Sequence, residues 1–328
     1  MIISRTPFRV SFFGGGTDFP GFYAKHGGAV LTTTIDKFCY ITIHSLQPFF
    51  KYRFKANYAQ AEAVQKPIEF KHPLIRECLL YLRVRDGLEI AHVADLPGRT
   101  GLGSSSSFTV GLLHTLHAYM GNDVAAEQLA REAIIIERER VGDPGGHQDQ
   151  YAAAYGGFMR LDFTGDQTIT VKKIEASKRR IQDLQSYLMM FYMGVEQTAE
   201  HILNEQKKRV KKNTAALLEM LEMVNEAERI VSGRTQLTEF GKLLHESWLR
   251  KKSLSPEITN SEIDRAYEAA RGAGALGGKL LGAGGRGFLL VFAEPGKHAA
   301  IRRKLRKLQE VDFSFTPEGS RIIFDSGN

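Results

Sequence analysis

Apolar residues along the first half of the chain follow the two periods that are typical of strands and helices. The segments 2–13 and 29–45 are rich in Ile, Val, Phe and Thr, which predicts two strands of one sheet. In the segment 73–84, a proline opens a run whose apolar side chains recur on one helical face. The first half therefore predicts a sheet with helices packed against it.

The remaining pattern predicts further elements of both kinds. A long helical pattern spans 198–232 and ends at Gly233. A helix is expected at 177–185. We place the domain boundary near residues 174–183, which gives an N-terminal domain over residues 1–178 and a C-terminal domain over residues 179–328. The other expected helices lie at 108–119, 125–141, 237–251 and 260–271; the other expected strands lie at 87–93, 158–163, 169–174, 187–193 and 288–293, followed by a basic helix and a final strand pair near 311–315 and 320–325.

Composition restricts the class of protein. With 328 residues and 43% hydrophobic content, the chain can bury the core of two domains that share a cleft. It lacks an apolar run of the roughly 18 to 20 residues that a membrane helix needs, and its first residues lack a signal-peptide pattern. We therefore expect a cytoplasmic protein that does not bind a membrane. Cys39 and Cys78 have no metal-ligand spacing and are expected to be packed free thiols.

The formal charge of +7 is concentrated in two short basic runs, and the rest of the chain is mildly acidic. Both runs lie in segments with a helical pattern, where a solvated basic face is the expected structure and a polyanion site is the alternative. Because aromatic residues are not interleaved with these charges, we expect no nucleic-acid partner. The runs consist of Lys207, Lys208, Arg209, Lys211 and Lys212, and of Arg302, Arg303, Lys304, Arg306 and Lys307.

Three glycine-rich segments lie far apart in the sequence, at 13–18, 98–107 and 272–287. The second forms part of LPGRTGLGSSSS, in which small residues precede a helix. Such a segment can bring main-chain N–H groups close to a phosphate, and the helix dipole would favour the same anion. It matches neither the GxxxxGK[ST] loop nor the GxGxxG fingerprint. Three such segments indicate close backbone approach to one ligand from three sides.

The motifs PFRVSFFGGGTDF, LPGRTGLGSSSS and KLLGAGGRGF resemble the three motifs of the GHMP small-molecule kinases, named for galactokinase, homoserine kinase, mevalonate kinase and phosphomevalonate kinase. The resemblance covers most of the chain in the family's order and spacing. Within the family, GGGTDFP, HGGAVLTTTIDKFCYITI and HQDQYAAAYGGF are most similar to heptose 7-phosphate kinases. The resemblance implies an α+β, two-domain GHMP kinase fold, with an N-terminal domain like the second domain of ribosomal protein S5 and a ferredoxin-like C-terminal domain.

The resemblance also implies ATP and Mg²⁺ as cofactors. Ser105 or a neighbouring serine, together with Glu137, would hold the metal, with Glu139 as the alternative carboxylate. Arg99 stands where the family usually has glycine, and two roles stay open for it: a contact to phosphate or substrate, or a side chain directed to solvent. The residues expected to bind the nucleotide are Pro97, Gly98, Arg99, Gly101, Leu102, Gly103, Ser104, Ser105, Ser106 and Ser107, with Gly284 and Gly285 of the third motif.

The catalytic residues implied by the resemblance are Asp149, which would accept the proton of a sugar hydroxyl, and Arg9, which would lie beside it and the transferred phosphoryl group. Gly16, Thr17, Asp18, Asp149 and Gly285 would bind the substrate, although Thr17 and Asp18 could instead form an N-cap or turn pair. The cation that would bind a sugar phosphate is left open among Arg5, Arg53, Lys55, His72, Arg99 and Arg286.

The activity implied by the resemblance is transfer of the γ-phosphoryl group of ATP to the anomeric hydroxyl of D-glycero-D-manno-heptose 7-phosphate, for synthesis of nucleotide-activated heptose. The partners would be ATP and a small sugar phosphate, and assembly as a homodimer stays open. One alternative is a kinase for the anomeric hydroxyl of fucose, galactose or a modified heptose. The other is a relative that binds sugar or nucleic acid without catalysis.

Overall fold

The computed structural model describes residues 1–195 and 199–327 of the chain. An eight-stranded sheet forms the larger part, and a four-stranded antiparallel sheet forms the smaller. The first sheet contains β1 (Ile2–Phe13), β2 (Gly28–Ser45), β3 (Phe54–Asn57), β4 (Ala61–Val64), β5 (Leu88–Ala94), β6 (Phe158–Phe163), β7 (Ile169–Lys173) and β12 (Arg321–Asp325). The second contains β8 (Leu188–Tyr192), β9 (Gly277–Leu280), β10 (Phe288–Phe292) and β11 (Gln309–Glu310), in the order β11-β8-β10-β9.

Eleven α-helices surround the sheets in the part of the chain that the structure describes. Two of them widen into π-helical turns, at Ile135–Arg140 and Ile230–Arg234. The helices are α1 (Pro20–His26), α2 (Pro73–Tyr81), α3 (Ser104–Tyr119), α4 (Ala126–Ile134), α5 (Gln148–Tyr155), α6 (Lys178–Ser186), α7 (Ala199–Lys208), α8 (Thr214–Arg229), α9 (Leu237–Leu254), α10 (Ser261–Gly272) and α11 (His298–Lys304).

The long strands β1 and β2 organise the first sheet. They pair antiparallel over most of their length, and β2 then pairs through its first half with β6 and through its second half with β5. From Thr6 onward β1 is buried on both faces, because α3 packs on one side while α8 and α9 pack from the other. Of the eight residues from Thr6 to Phe13, six are apolar or β-branched, as is typical of a strand buried on both faces, and the exceptions are Arg9 and Ser11.

An aromatic cluster joins the two sheets. Phe240 of α9 makes edge-to-face contacts with Phe12 and Phe13 of β1, at ring-centroid distances of 5.4 and 5.1 Å. Phe240 also lies 5.5 Å from Phe292 of β10, so one apolar core continues from the first sheet into the second. An apolar interface of this kind fixes α9 and the loops of the second sheet relative to β1.

Several expected elements differ in the structure. Two elements were not predicted from the sequence: residues 54–64 form the β3–β4 hairpin, and Gln148–Tyr155 form α5, which carries Asp149. The single helix expected over 198–232 is two helices, α7 and α8, and its first residue lies outside the described part. These three differences occur where polar or small residues conceal the apolar period on which the sequence interpretation depends.

Of the final strand pair expected at 311–315 and 320–325, the second strand is present as β12 (Arg321–Asp325), whereas the strand at 311–315 does not form. The edge strand β11 is Gln309–Glu310, and the chain after it makes only an isolated bridge from Phe315 to Ile35. Strand β12 then pairs with β1 instead of with a neighbouring segment. We keep the division after residue 178 as a proposal and place β12 with the first domain, because its hydrogen bonds are made to that sheet.

Other expectations concern surfaces and thiols. Both cysteines are buried and free, as expected. The two basic runs are exposed at most of their positions, as expected for solvated helix faces. Within residues 1–195 and 199–327, no helix is both long and apolar enough to cross a membrane.

Candidate active site

A cavity of about 800 Å³ lies where the three glycine-rich segments meet. Its wall includes Gly15 and Gly16 of the first segment, Gly98, Gly101 and Gly103 of the second, and Gly282 of the third. Helices α7 and α9 contribute the facing wall. The approach of three glycine-rich segments to one space, expected from the sequence, is therefore present in the fold.

The second and third segments touch main chain to main chain. Gly101 has a φ of 81°, and a Cβ placed there would overlap the carbonyl oxygen of Leu281. A Cβ on Gly282 would overlap the Cα of Gly101. Only glycine fits both positions, since the backbone conformation and the space exclude a side chain.

Helix α3 begins at Ser104, four residues earlier than the apolar pattern predicts, so the serines form its first turn. Gly103 precedes it in the left-handed conformation, with φ 73° and ψ 24°. The first N–H groups of a helix have no intrahelical acceptor, and the helix dipole adds positive potential at the same end. Ser104, Ser105 and Ser106 line the cavity, so this helix end is suited to bind phosphate oxygens.

Three residues of the second motif that were expected to bind the nucleotide lie outside the cavity wall. Leu102 is buried in the core, and the hydroxyl of Ser107 donates to the carbonyl oxygens of Pro7 and Gly103, at 2.8 and 3.1 Å. The carbonyl of Pro97 accepts a hydrogen bond from Thr100 at 2.8 Å. These residues shape the loop instead of facing a ligand.

The third segment presents Gly282 and Ala283 to the cavity. Gly284 and Gly285, which were expected to bind nucleotide or substrate, pack against the turn at Ile258. The N–H of Gly285 donates to the Ile258 carbonyl at 3.1 Å, so this donor is already used. A Cβ on Gly284 would overlap the main chain of Ile258.

Arg9 and Asp149 form a two-pronged ion pair in the cavity wall. The Nε and Nη2 atoms of Arg9 donate to the two carboxylate oxygens of Asp149 at 2.7 and 2.8 Å, and Nη1 donates to the carbonyl of Gly101 at 2.7 Å. Arg9 is only 5% exposed. Paired hydrogen bonds of this geometry fix both groups in orientation, and the contact to Gly101 fixes them relative to the phosphate loop.

Asp18 and Thr17 have different environments although they are adjacent. Asp18 lines the cavity, and its carboxylate accepts hydrogen bonds from the Gly16 N–H and from Gln148 Nε2, each at 2.9 Å. Burial raises the pKa of Asp18. Thr17 faces away, since its hydroxyl donates to the carbonyls of Gly14 and Ala29, both at 2.8 Å. The structure therefore supports a turn role for Thr17 and a position for Asp18 in the site.

Glu137 lies in the π-helical turn that follows α4, and it is buried at the edge of the cavity. Its Oε2 accepts hydrogen bonds from Ser106 at 2.9 Å and from Gln150 at 2.7 Å. Burial raises the pKa of Glu137. Among the described residues, Oε1 has no hydrogen-bond partner. The alternative carboxylate, Glu139, is exposed and lies outside the wall.

This donor set fits Mg²⁺, which prefers carboxylate and hydroxyl oxygens and takes few of its ligands from protein. The serine that contacts Glu137 is Ser106, whereas Ser105 is exposed towards the cavity. Within the described residues, no group of three or more His, Cys, Asp or Glu side chains could hold a metal. Phosphates and water would therefore complete the coordination of a metal at Glu137.

One end of the cavity has an aromatic wall that the sequence did not indicate. Ring-centroid distances are 4.8 Å between Tyr58 and His72, 5.2 Å between His72 and Phe108, and 5.0 Å between His92 and Phe108. Burial lowers the pKa of both histidines, so neutral imidazoles are favoured. An uncharged aromatic pocket beside a phosphate-binding helix end is suited to a planar base.

Two buried lysines, Lys251 of α9 and Lys279 of β9, also line the cavity and were not identified from the sequence. A signal was present for Lys251: Phe240, Leu244, Trp248 and Lys251 follow the helical period of the buried face. Burial, followed by the nearby Arg9, lowers the pKa of Lys251 to about 8. Burial also lowers the pKa of Lys279, and both Lys251 and Arg9 lower it further.

Of the cations considered for a sugar phosphate, only His72 and Arg99 line the cavity wall. Arg99 is exposed and adopts a left-handed φ of 59°. This conformation favours glycine, which the similar kinases usually have at this position. The others contact protein elsewhere: Arg5 bonds to Glu318, Arg53 to the Arg85 carbonyl, Lys55 to Glu89, and Arg286 to the Met193 carbonyl.

Comparison with known proteins agrees with this geometry. Residues 72–157 match the N-terminal domain of GHMP kinases, and residues 230–310 match the C-terminal domain of GHMP kinases. A D-glycero-alpha-D-manno-heptose 7-phosphate kinase of Campylobacter jejuni is 29% identical over 332 residues, which cover 97% of each chain. A galactokinase of Thermococcus kodakarensis is 26% identical over 95% of each chain.

A solved structure described as a D-glycero-D-manno-heptose 1-phosphate kinase, from Bacteroides thetaiotaomicron, has a TM-score of 0.81 to this chain, covers 100% of both chains and is 23% identical. At that identity the likeness concerns the fold, and it confirms the α+β two-domain architecture expected from the motifs. The N-terminal family match contains the phosphate loop, Glu137 and Asp149, and the C-terminal match contains Lys251 and the third glycine-rich segment. The chain belongs to the GHMP kinase family.

Proposed function

We propose that this protein is an ATP-dependent sugar kinase that phosphorylates the anomeric hydroxyl of D-glycero-D-manno-heptose 7-phosphate and forms the 1,7-bisphosphate. The observation that carries the proposal is the Arg9–Asp149 pair, held by Gly101 beside a helix end suited to phosphate. The similarity to the Campylobacter heptose 7-phosphate kinase over nearly the whole chain supports this acceptor.

The nucleotide would occupy the half of the cavity between the aromatic wall and helix α3. Tyr58, His72 and Phe108 would enclose the adenine, because their rings can pack on a planar base, and Tyr58 and His72 also carry polar atoms. Main-chain N–H groups of the phosphate loop and the first turn of α3 would bind the phosphate oxygens. The γ-phosphoryl group would then lie near Arg9.

Asp149 would accept the proton of the sugar hydroxyl. The O–H bond breaks as the proton moves to the carboxylate, the sugar oxygen bonds to the γ-phosphorus, and the bond from that phosphorus to the bridging oxygen of ADP breaks. Phosphoryl transfer of this kind needs little deprotonation before bond formation, so orientation and charge stabilisation dominate. Arg9 orients Asp149 and places a positive charge beside the transferred group.

Glu137 Oε1 and the neighbouring serine hydroxyls would hold Mg²⁺. When bound, Mg²⁺ would neutralise phosphate charge during transfer. Ser106 and Gln150 donate hydrogen bonds to Oε2 of Glu137 and so fix the orientation of the carboxylate. Oε1 would then be the oxygen that contacts the metal.

The acceptor half contains polar atoms that suit a sugar. Among the described residues, Ser11 Oγ and Gln148 Oε1 are buried without a hydrogen-bond partner, and both residues line the cavity. Buried polar atoms are normally paired, so unpaired ones in a cavity wall indicate ligand hydroxyls. Asp18 adds a carboxylate whose two oxygens each accept one hydrogen bond from the protein and can each accept a second from a sugar hydroxyl.

The test is turnover of ATP by the purified protein with a panel of heptose 7-phosphate, unphosphorylated heptose, galactose and fucose. ADP release gives the rate, and ³¹P NMR of the product identifies the phosphorylated position. We expect the highest kcat/KM with heptose 7-phosphate and a new phosphorus signal coupled to the anomeric proton. A higher kcat/KM with galactose or fucose would show that this sugar is the preferred acceptor, and the assignment as a sugar kinase would stand.

Asp149→Asn is the matched variant for the catalytic step, since it keeps the size of the side chain and removes the proton acceptor. We expect kcat to fall by about 10²- to 10⁴-fold with little change in ATP affinity. Asp143→Asn, which alters another carboxylate of the cavity wall that is bonded to Arg138, serves as the control. Unchanged ATP consumption in Asp149→Asn would contradict the proposed base.

A further inference from the structure

The acceptor half of the cavity contains positive charge that the protein does not neutralise by direct pairing. Lys251 and Lys279 are 6% and 3% exposed. Lys251 Nζ donates to the Gly282 carbonyl, and Lys279 Nζ donates to the Phe12 carbonyl at 2.8 Å. An ammonium group has three N–H donors. Within residues 1–195 and 199–327, neither lysine forms an ion pair with a carboxylate.

The nearby carboxylates are already occupied. Both oxygens of Asp149 accept from Arg9, and the oxygens of Asp18 accept from Gly16 and Gln148. They influence the pKa of Lys251 without contacting it. The cluster thus contains the guanidinium of Arg9, two buried lysine side chains and two carboxylates, and both carboxylates already have partners other than the lysines.

Burial of an ammonium without a counter-ion is unfavourable, because solvation is lost and no ion pair compensates for it. The fold nevertheless places two lysine side chains beside Arg9, where their charged forms would repel one another. Ser11 lies two residues along β1 from Arg9, so both side chains are on the same face of the strand, and its hydroxyl has no partner among the described residues. This combination of unused donors is complementary to an anion.

We propose that Lys251 and Lys279, with the hydroxyl of Ser11, form a subsite that binds a phosphoryl group in the acceptor half of the cavity. The inference deepens the proposed function and rests on it for the identity of the ligand. The same chemistry has two sources: the phosphate that the acceptor sugar carries, or the phosphoryl group that is transferred.

The first test is titration of the full-length protein with inorganic phosphate by calorimetry, with saturating ADP present to occupy the phosphate loop. Lys251→Met and Lys279→Met are expected to weaken phosphate binding by about 10- to 100-fold, since each removes a charge-assisted hydrogen bond. Lys252→Met is the matched control: Lys252 is the next residue of α9, and it pairs with Asp264 at 3.1 Å. The control is expected to bind phosphate as the unmodified protein does.

Thermal unfolding separates a binding role from a structural one. If the lysines are kept for a ligand, replacing either by methionine removes a buried amino group that has no carboxylate partner, and the ligand-free protein should unfold at an equal or higher temperature, by about 2–4 °C. A lower unfolding temperature with unchanged phosphate affinity would mean that they are structural, and the inference would be wrong. Ser11→Ala provides a milder variant if methionine disturbs the packing.

Steady-state kinetics separate the two sources. Binding of the acceptor's phosphate predicts that Lys251→Met reduces the ratio of kcat/KM for heptose 7-phosphate to that for unphosphorylated heptose by about tenfold or more. Binding of the transferred group predicts a lower kcat for both sugars and an unchanged ratio. Either result would support the subsite, and each would identify a different ligand.

Different experimental results would contradict this inference and the proposed function. If the unmodified protein turns over no sugar of the panel, the proposed function fails, whereas the phosphate titration still tests the subsite. If it turns over heptose 7-phosphate and both lysine variants keep their phosphate affinity and kinetics, the subsite is overturned and the kinase assignment is retained.

Discussion

The nucleotide half of the cavity is formed mainly by main chain, whereas the acceptor half is formed by side chains from distant segments. In the first, glycines 98–103 and the first turn of α3 present N–H groups that belong to one short stretch of sequence. In the second, Arg9, Asp149, Lys251 and Lys279 come from β1, α5, α9 and β9. Main-chain donors can bind any phosphate, while the side chains would select the acceptor in the proposed function.

Gly101→Ala tests the main-chain half, and it should have the largest effect on stability. The new methyl group would overlap the Leu281 carbonyl, and the residue would be held at a φ of 81°. We expect a loss of on the order of 3 kcal/mol in the free energy of unfolding, together with loss of ATP binding. Gly121→Ala, also at positive φ but with open space around it, is the control for backbone strain alone. Equal stability of the two variants would show that the two loops do not touch.

Glu137→Gln tests the proposed Mg²⁺ site at the edge of the cavity. Removal of the charge should weaken Mg²⁺ by about 10- to 100-fold, and activity should be partly restored at high Mg²⁺ concentration. The dependence of kcat/KM on Mg²⁺ concentration measures this. Glu139→Gln changes an exposed carboxylate two positions along the chain and is expected to leave the dependence unaltered. Similar Mg²⁺ curves for the two variants would contradict the assignment of Glu137.

Binding of the acceptor should depend on pH more strongly than binding of ATP. The pKa of Lys251 is lowered to about 8 by burial and Arg9, while Asp18 and Asp149 oppose the shift and Lys279 lies on the facing strand. Above pH 8 the folded, ligand-free protein therefore loses a proton that the unfolded chain keeps up to about pH 10.4. Stability of the free protein should rise over this window as pH increases.

Phosphate binding should change in the opposite direction, because the neutral amine is a poorer ligand for an anion. We expect the acceptor KM to increase several-fold between pH 7.5 and about pH 9.5, with a smaller increase in Lys251→Met. Parallel pH profiles of the two proteins would contradict this role of Lys251. The KM for ATP, which depends on main-chain donors, should change little.

Arg99→Gly should have the smallest effect. The left-handed backbone at this position favours glycine, so the substitution relieves strain while it increases the freedom of the unfolded chain, and stability should change by less than about 1 kcal/mol. The KM for ATP or for the sugar phosphate should rise by a few-fold if the exposed guanidinium contacts either ligand. No change in either KM would leave Arg99 as a side chain directed to solvent.

Local signals determined the parts of the site that lie in one stretch of chain. The glycine-rich loops could be placed at one ligand because glycine is needed where backbones approach closely, and Gly101 and Gly282 satisfy that need. Helix α5 was missed because GDPGGHQDQ is rich in turn residues and the helix has no clear apolar face. The start of α3 was placed too late because its first turn consists of serines, which carry no apolar period.

The motif resemblance identified Asp149, Arg9 and Glu137 without showing how they meet. Only the fold shows that the two oxygens of Asp149 are held by Arg9 and that Ser106 is the serine bonded to Glu137. Thr17 and Asp18 illustrate the limit of motif reading, since adjacent residues of one motif point to a turn and to the cavity respectively. The alternation of neighbouring side chains in direction is decided by backbone geometry.

By itself, the sequence determined the family, the alternation of strands and helices, and the three glycine-rich segments, because each follows from short-range periodicity or from a contiguous motif. The tertiary structure alone decided that Lys251 and Lys279 meet beside Arg9, that β12 returns to β1, and that Tyr58, His72 and Phe108 form one wall. These residues are far apart in the chain. Their proximity depends on how the apolar faces of β1, α9 and β10 pack, which no local pattern encodes.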